Sequence, residues 1–127
     1  MLFRSVITDL PDKTETVRFC NLTKPQVKLY AKVVDDLARG LEAMEQGIER
    51  RGLVLQTLMR LKQVCNHPSQ LTGDQQYSPG QSGKFARLEE ICSELAQRQE
   101  KVLVFTQFRE IIPHLEEHLT EIGRAHV

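Results

Sequence analysis

The sequence lacks an excess of charge of either sign, because its 17 basic and 17 acidic side chains balance. A strongly basic chain would argue for nucleic-acid binding, and that argument is missing here. A local basic patch around Arg50, Arg51, Arg60 and Lys62 stays open, although a solvated helix face explains these residues more simply. Overall charge therefore neither supports nor excludes a nucleic-acid partner.

Long apolar runs are also missing. No stretch approaches the roughly 20 apolar residues of a membrane-spanning helix, and the first residues lack the apolar core of a signal peptide. We therefore expect no membrane partner and a cytoplasmic location. A length of 127 residues and a hydrophobic fraction of 40% suit one globular domain.

Cysteine is scarce, and the three cysteines, Cys20, Cys65 and Cys92, are far apart in the sequence. An odd number of isolated cysteines fits reduced thiols better than a disulfide framework. Cys65 and His67 have no second Cys/His pair at zinc-site spacing, so we expect no metal site. A metal-dependent regulator that uses Cys65, His67, His114 and His118 stays open as a minor alternative.

The most apolar stretch is Lys101 to Phe108, in which four apolar residues stand together at 102–105. Without polar alternation, this run predicts a strand that is buried on both faces, as in parallel sheets covered by helices. A helical pattern follows, with Thr106 as the expected N-cap and with Pro113 about seven residues inside, where it should kink the helix. The region predicts the first strand and helix of an α/β domain.

The sequence before this run is mainly helical. Residues 23–26, Thr-Lys-Pro-Gln, form a capping box that predicts a helix running to about Gln46. Residues 47–52 are either a polar break or a helix irregularity, and after them the pattern predicts a second helix from Leu53 to Cys65. Pro68 should end it, because the residue before a proline is driven out of the helical region.

Three shorter segments complete the pattern. The alternation of Val17 and Phe19 with polar residues predicts a short half-buried strand. Residues 69–81 are rich in Ser, Gln and Gly and predict a polar surface linker, and Phe85 to Gln97 predict a further helix. The Gly-Lys at residues 83 and 84 departs from a phosphate-binding loop in spacing and in the residue that follows, so a helix cap is favoured.

Five blocks in this order resemble SWI/SNF-type DNA-translocating ATPases of helicase superfamily two. The blocks are 9–15, 22–30, 58–68, 82–84 and 101–108. The signature residues within them are Leu61, Lys62, Gln63, Cys65, Asn66, His67, Pro68, Ser82, Gly83 and Lys84. The resemblance covers residues 6–121.

The resemblance implies how the chain is divided. Residues 6–22 would be the exit from RecA-like lobe one, 23–68 a helical insertion, 69–81 the polar linker, and 82–121 the start of lobe two. We therefore expect a mostly α fold with a partial α/β unit, consisting of a two-helix insertion and the first helix, strand and helix of an incomplete RecA-like lobe.

The two ends of the chain match a translated sequencing adapter. Residues 122–127 match one reading frame of such an adapter, and residues 1–5 match its reverse complement after a start codon. We expect both segments to be foreign to the protein.

The implied function is that of a fragment of an ATP-dependent double-stranded-DNA translocase, inactive alone. By that resemblance Thr106, Gln107 and Arg109 lie near the nucleic-acid backbone, and no residue of this chain is catalytic. The implied parent uses ATP and magnesium, needs the remainder of its ATPase lobes, and works at the bacterial nucleoid. The alternative is a small helical interaction module without enzymatic activity.

Overall fold

A computed structural model of the chain describes residues 11–45 and 47–125. Within these residues the fold is mostly α, as predicted, and contains no β-strand. The α-helices are α1 (Lys24–Ala43), α2 (Gly47–Asn66), α3 (Pro68–Thr72), α4 (Gly83–Gln97) and α5 (Ile112–Ala125), with 3-10 turns at Pro79–Gln81 and Arg109–Ile111. No helix in the described part of the chain is long and apolar enough to cross a membrane.

Helix α1 begins with the predicted capping box. The Thr23 side chain accepts a hydrogen bond from the Gln26 backbone N–H, and the Gln26 side chain accepts one from the Thr23 backbone N–H. Both bonds satisfy N–H groups that the first helical turn leaves free. Helix α1 therefore starts at the predicted position, and it ends at Ala43, slightly earlier than expected.

Helix α2 packs against α1 as an antiparallel hairpin, and Val33 and Val64 are buried in the two helices. Of the two alternatives for residues 47–52, the polar break is wrong, because α2 already begins at Gly47. A glycine inside a helix costs only about 1 kcal/mol, so Gly52 does not interrupt it. Gly40 allows a close approach of the two helices, since a Cβ there would lie 2.7 Å from Leu53 Cδ2.

The segment after α2 is more ordered than its composition suggests. Helix α2 ends at Asn66 as predicted, and α3 follows at once with Pro68 in its first turn. Ser69, Gln70 and Tyr77 are buried, so the expectation of a surface linker is wrong at these positions. The polar side chains are buried because they bond to neighbouring groups of the chain.

Helix α4 starts after Ser82 as expected, whereas α5 starts later than predicted. Thr106 does not cap it, because its Oγ1 instead accepts a hydrogen bond from the Phe108 N–H, at 3.2 Å, in the preceding turn. Pro113 is the second residue of α5. The predicted kink is therefore wrong, because a proline in the first turn removes no hydrogen bond.

The largest apolar cluster joins the segment after α3 to α4 and α5. Tyr77, Phe85, Phe108 and Ile111 are buried together, and Leu115 packs against them. Each comes from a different element or turn, so the cluster fixes the position of the segment around residues 106–109.

Neither predicted strand is formed in the described residues. In the run at 102–105, Leu103 is 82% exposed and Phe105 87%, and Val17 and Phe19 are 72% and 95% exposed. A strand needs a neighbour that satisfies its backbone groups and covers its faces, and the described chain offers none. The described residues therefore show no buried strand at 102–105, and the predicted partial α/β unit is not confirmed by this structure.

Two phenylalanine substitutions should differ in their effect on stability, because one removes a core side chain and the other a side chain of the uncovered run at 102–105. Phe85 is 3% exposed and Phe105 is 87% exposed. We expect Phe85→Ala to lower the free energy of unfolding by about 3 to 5 kcal/mol, and Phe105→Ala to change it by less than about 0.5 kcal/mol. Urea unfolding followed by circular dichroism measures both, and a comparable loss in the two variants would show that the run is covered.

Candidate functional site

The signature residues meet at a junction of three helices, which is built around the buried side-chain amide of Gln26. Its Nε2 donates to the carbonyl oxygens of Val64, at 2.9 Å, and Cys65, at 3.2 Å. Its Oε1 accepts from the backbone N–H groups of Thr23, at 2.9 Å, and Gly83, at 3.2 Å. One amide therefore joins the start of α1, the end of α2 and the start of α4.

Asn66 and Ser82 form further hydrogen bonds at this junction. Ser82 Oγ donates to the Asn66 carbonyl at 2.6 Å and accepts from the Phe85 N–H, which caps α4. Lys84 Nζ donates to Asn66 Oδ1 at 3.0 Å. A side chain at Gly83 would overlap the carbonyl oxygen of Asn21, so glycine is required by the close approach of that backbone. The three residues 82–84 thus form a helix cap.

His67 is the most buried ring of the junction, at 0% exposure. Its Nδ1 accepts from the Ser69 N–H at 3.0 Å, and its Nε2 lies 2.7 Å from the Ser78 carbonyl oxygen. A carbonyl only accepts, so the proton belongs on Nε2 and the ring is neutral. Burial lowers the pKa of His67, and the Ser78 carbonyl partly opposes that effect. The rings of Tyr77 and Phe85 lie 5.0 Å away.

The described residues do not bring the four side chains of the minor metal alternative together as a group. Residues 11–45 and 47–125 contain no group of three or more side chains able to hold a metal ion. His114 stacks on Tyr77 at 3.7 Å, and its Nε2 lies 2.9 Å from Gln75 Oε1. Cys65 and His118 are not brought into one cluster with His67, whose ring nitrogens both have partners already.

Thr106, Gln107 and Arg109 are exposed, and the first two line a groove of about 870 Å³ beside α2. Lys62 and Lys84 line the same groove. Its other lining residues are Tyr30, Leu55, Leu58, Met59, Leu61, Cys65, Asn66, Phe105 and Phe108. The structure therefore brings two signature lysines beside two of the three predicted site residues.

The groove offers hydrogen-bond donors and positive charge. A hydroxyl at Thr106, an amide at Gln107 and the ammonium groups of Lys62 and Lys84 can all donate to an anion, and phosphate oxygens are common partners of such groups. Lys62 and Lys84 are among the predicted signature residues, but the sequence does not indicate that they line the same groove as Thr106 and Gln107. Their place in the groove depends on how α2, α4 and the loop pack.

Replacing Gln26 by glutamate should destabilise the junction. A carboxylate cannot donate to the carbonyls of Val64 and Cys65, so we expect Gln26→Glu to lower the free energy of unfolding at neutral pH by about 3 kcal/mol. The loss should shrink in acid, because a protonated carboxyl regains one donor. Gln56→Glu, an exposed change on α2, is the control, and equal urea midpoints for the two variants would contradict the prediction.

The pKa of His67 makes stability depend on pH. Because the folded pKa lies below the ordinary 6.5, the unfolded chain binds a proton more readily, and stability is lost as the pH falls below about 6.5. We expect His67→Asn, which keeps a capping oxygen for Ser69, to be less stable near neutrality but to show a flatter decline in acid. Urea unfolding at several pH values tests this, and an unchanged decline would assign it to other groups.

Comparison with known proteins gives one family. Residues 1–70 match the SNF2-related domain. The chain is 33% identical over 105 residues to a putative ATP-dependent helicase/translocase, YwqA, of Bacillus subtilis, a match that covers 81% of this chain and 11% of that protein. No solved structure matches the chain.

Two eukaryotic relatives show similar coverage. The ISWI chromatin-remodeling complex ATPase CHR11 of Arabidopsis thaliana is 31% identical over 90% of this chain, and the DNA excision repair protein ERCC-6 of Mus musculus is 29% identical over 92% of it. The chain spans only 11% and 8% of their lengths. The family match covers more than half of the 127 residues, and on that evidence the chain belongs to the SNF2-related, SWI/SNF-type family of helicase-like ATPases.

Proposed function

We propose that this chain is an internal portion of an ATP-dependent double-stranded-DNA translocase. It would contain the exit from RecA-like lobe one, the helical insertion and the start of lobe two. The names of the relatives support this proposal, because they include a helicase/translocase and a chromatin-remodeling ATPase. The short span of the chain within them, 8 to 11% of their lengths, agrees with a portion of a larger enzyme.

The observation that carries the proposal is the uncovered apolar run at 102–105, directly before the polar groups of the groove. Its side chains are 38 to 87% exposed, although the sequence is typical of a buried strand. In a complete lobe two, neighbouring strands would cover this run. Thr106 and Gln107 would then stand at the carboxyl end of a strand, where open α/β sheets bind their ligands.

The groove would hold the DNA backbone. Hydrogen bonds from Thr106, Gln107 and Arg109 to phosphate oxygens fix register without reading sequence, as a translocase requires. Lys62 and Lys84 add charge to the same groove, and their contribution should weaken as salt rises. The apolar part of the groove beside α2 is compatible with packing against the sugar edges or against other parts of the enzyme.

The ATP chemistry of the parent would lie outside this chain. By the family resemblance, ATP and magnesium bind to motifs of the two lobes that residues 1–127 do not contain, so the chain alone should not hydrolyse ATP. Its partners would be double-stranded DNA and the remaining parts of both lobes. A cytoplasmic, nucleoid-associated setting would follow if double-stranded DNA is the partner of the parent.

Binding of duplex DNA tests the groove. We expect the purified chain to bind a fluorescein-labelled duplex weakly at low salt, and Thr106→Val with Gln107→Leu to weaken that binding about tenfold, the equivalent of about 1.4 kcal/mol. The double variant Thr120→Val and Gln97→Leu makes the same exposed changes elsewhere and should bind as the original chain does. Fluorescence anisotropy measures all three affinities.

The same samples also test the outcomes that would contradict the proposal. Equal affinities of the groove variant and its control would remove Thr106 and Gln107 from the proposed interface. ATP hydrolysis by the 127-residue chain, stimulated by the duplex, would contradict the proposal that the ATP site lies elsewhere. A helical interaction module, the alternative, predicts no dependence of DNA affinity on Thr106 and Gln107, and the exposure of residues 102–105 argues against its self-contained fold.

A further inference from the structure

A single carboxylate connects the Thr106–Arg109 loop, which lies beside the groove, to helices α2 and α3. Glu110 belongs to the 3-10 turn Arg109–Ile111, directly after the loop. Its Oε1 accepts hydrogen bonds from Gln70 Nε2, at 3.0 Å, and from Gln63 Nε2, at 3.4 Å. Because Gln63 belongs to α2 and Gln70 to α3, this one oxygen joins the turn after the loop to two consecutive helices that lie 40 and 47 residues earlier in the sequence.

These hydrogen bonds are the last in a longer series of side-chain hydrogen bonds that begins at Lys84. Lys84 Nζ donates to Asn66 Oδ1, at 3.0 Å, and Asn66 Nδ2 donates to Gln70 Oε1, at 3.3 Å. The remaining amide nitrogen of Gln70 then donates to Glu110. Every donor points from the Lys84 ammonium towards the Glu110 carboxylate, and successive bonds of this kind polarise one another. The hydrogen bond from Gln70 is the largest cause that lowers the pKa of Glu110.

Both ends of the network belong to the groove region. Lys84 lines the groove, and Glu110 follows the residues proposed to bind DNA. Within the described residues, Phe108 buries its side chain in the core cluster, and its N–H donates to Thr106 Oγ1 inside the loop. The network is therefore placed to set the orientation of the loop relative to α2.

We infer that Glu110 is a positioning residue, which holds the Thr106–Arg109 loop against α2 and α3 through Gln63 and Gln70. Its role in DNA binding rests on the function proposed above, whereas the anchoring of the loop does not. Glu110 is exposed, so its hydrogen bonds should contribute little to global stability. The consequence of losing them should be local.

Hydrogen exchange in the DNA-free chain tests the anchoring. The reporting amides are those of Phe108, bonded to Thr106 Oγ1, and Ile112, bonded to the Arg109 carbonyl. We expect Glu110→Leu to speed their exchange about fivefold or more, with an unchanged thermal midpoint. Glu110→Gln keeps an acceptor oxygen and should exchange as the original chain does. Glu117→Leu, an exposed change on α5, is the control.

DNA affinity is a second measurement, for which loss of the negative charge and loss of positioning predict opposite changes. Removing a negative charge near a phosphate backbone would by itself strengthen binding. Loss of positioning should instead weaken it, so we expect Glu110→Leu to bind duplex DNA about threefold to tenfold less tightly, and Glu110→Gln to bind at least as tightly as the original chain.

The outcomes separate the two proposals. Exchange in Glu110→Leu that matches Glu117→Leu would overturn the positioning role, and so would tighter DNA binding by Glu110→Leu. If the original chain does not bind DNA but the two amides respond as expected, the DNA proposal fails and the anchoring role of Glu110 stands.

Discussion

The buried amide of Gln26 is the contact on which the rest of this structure depends. Three helices present backbone groups to it, and its two donors and one acceptor oxygen satisfy four of them. An unpaired backbone group in this place would cost about 1 to 3 kcal/mol, so the amide stabilises the meeting of the three helices. The positions of the groove, of α4 and of the signature residues follow from this junction.

This junction explains three residues whose types are common in active sites by the structural contacts that they make. His67, Ser82 and Lys84 combine residue types that are common in active sites, but in this fold they cap helices and bond to backbone or amide groups. A neutral histidine with both nitrogens engaged is a poor base and a poor metal ligand. These predicted signature residues therefore attach the first two helices, α1 and α2, to α4.

Much of the helical fold could be predicted from local pattern. The capping box, the end of α2 before Pro68 and the start of α4 each depend on residues a few positions apart, which is the range over which caps and proline effects act. The start of α5 could not be predicted in this way, because Thr106 Oγ1 accepts a hydrogen bond from the Phe108 N–H and does not cap the helix. The burial of Tyr77 was equally hidden, since it depends on Phe85 and His114, which are close only after folding.

The sequence by itself determined the family, the helix starts marked by caps and the apolar character of residues 102–105, because all of these are written in short, local patterns. Only the tertiary structure decided that this run is uncovered, that Lys62 and Lys84 share a groove with Thr106 and Gln107, and that Glu110 joins three segments. The reason is physical. A strand, a groove and a hydrogen-bond network each require partners from distant parts of a chain, and local pattern carries no information about which partners arrive.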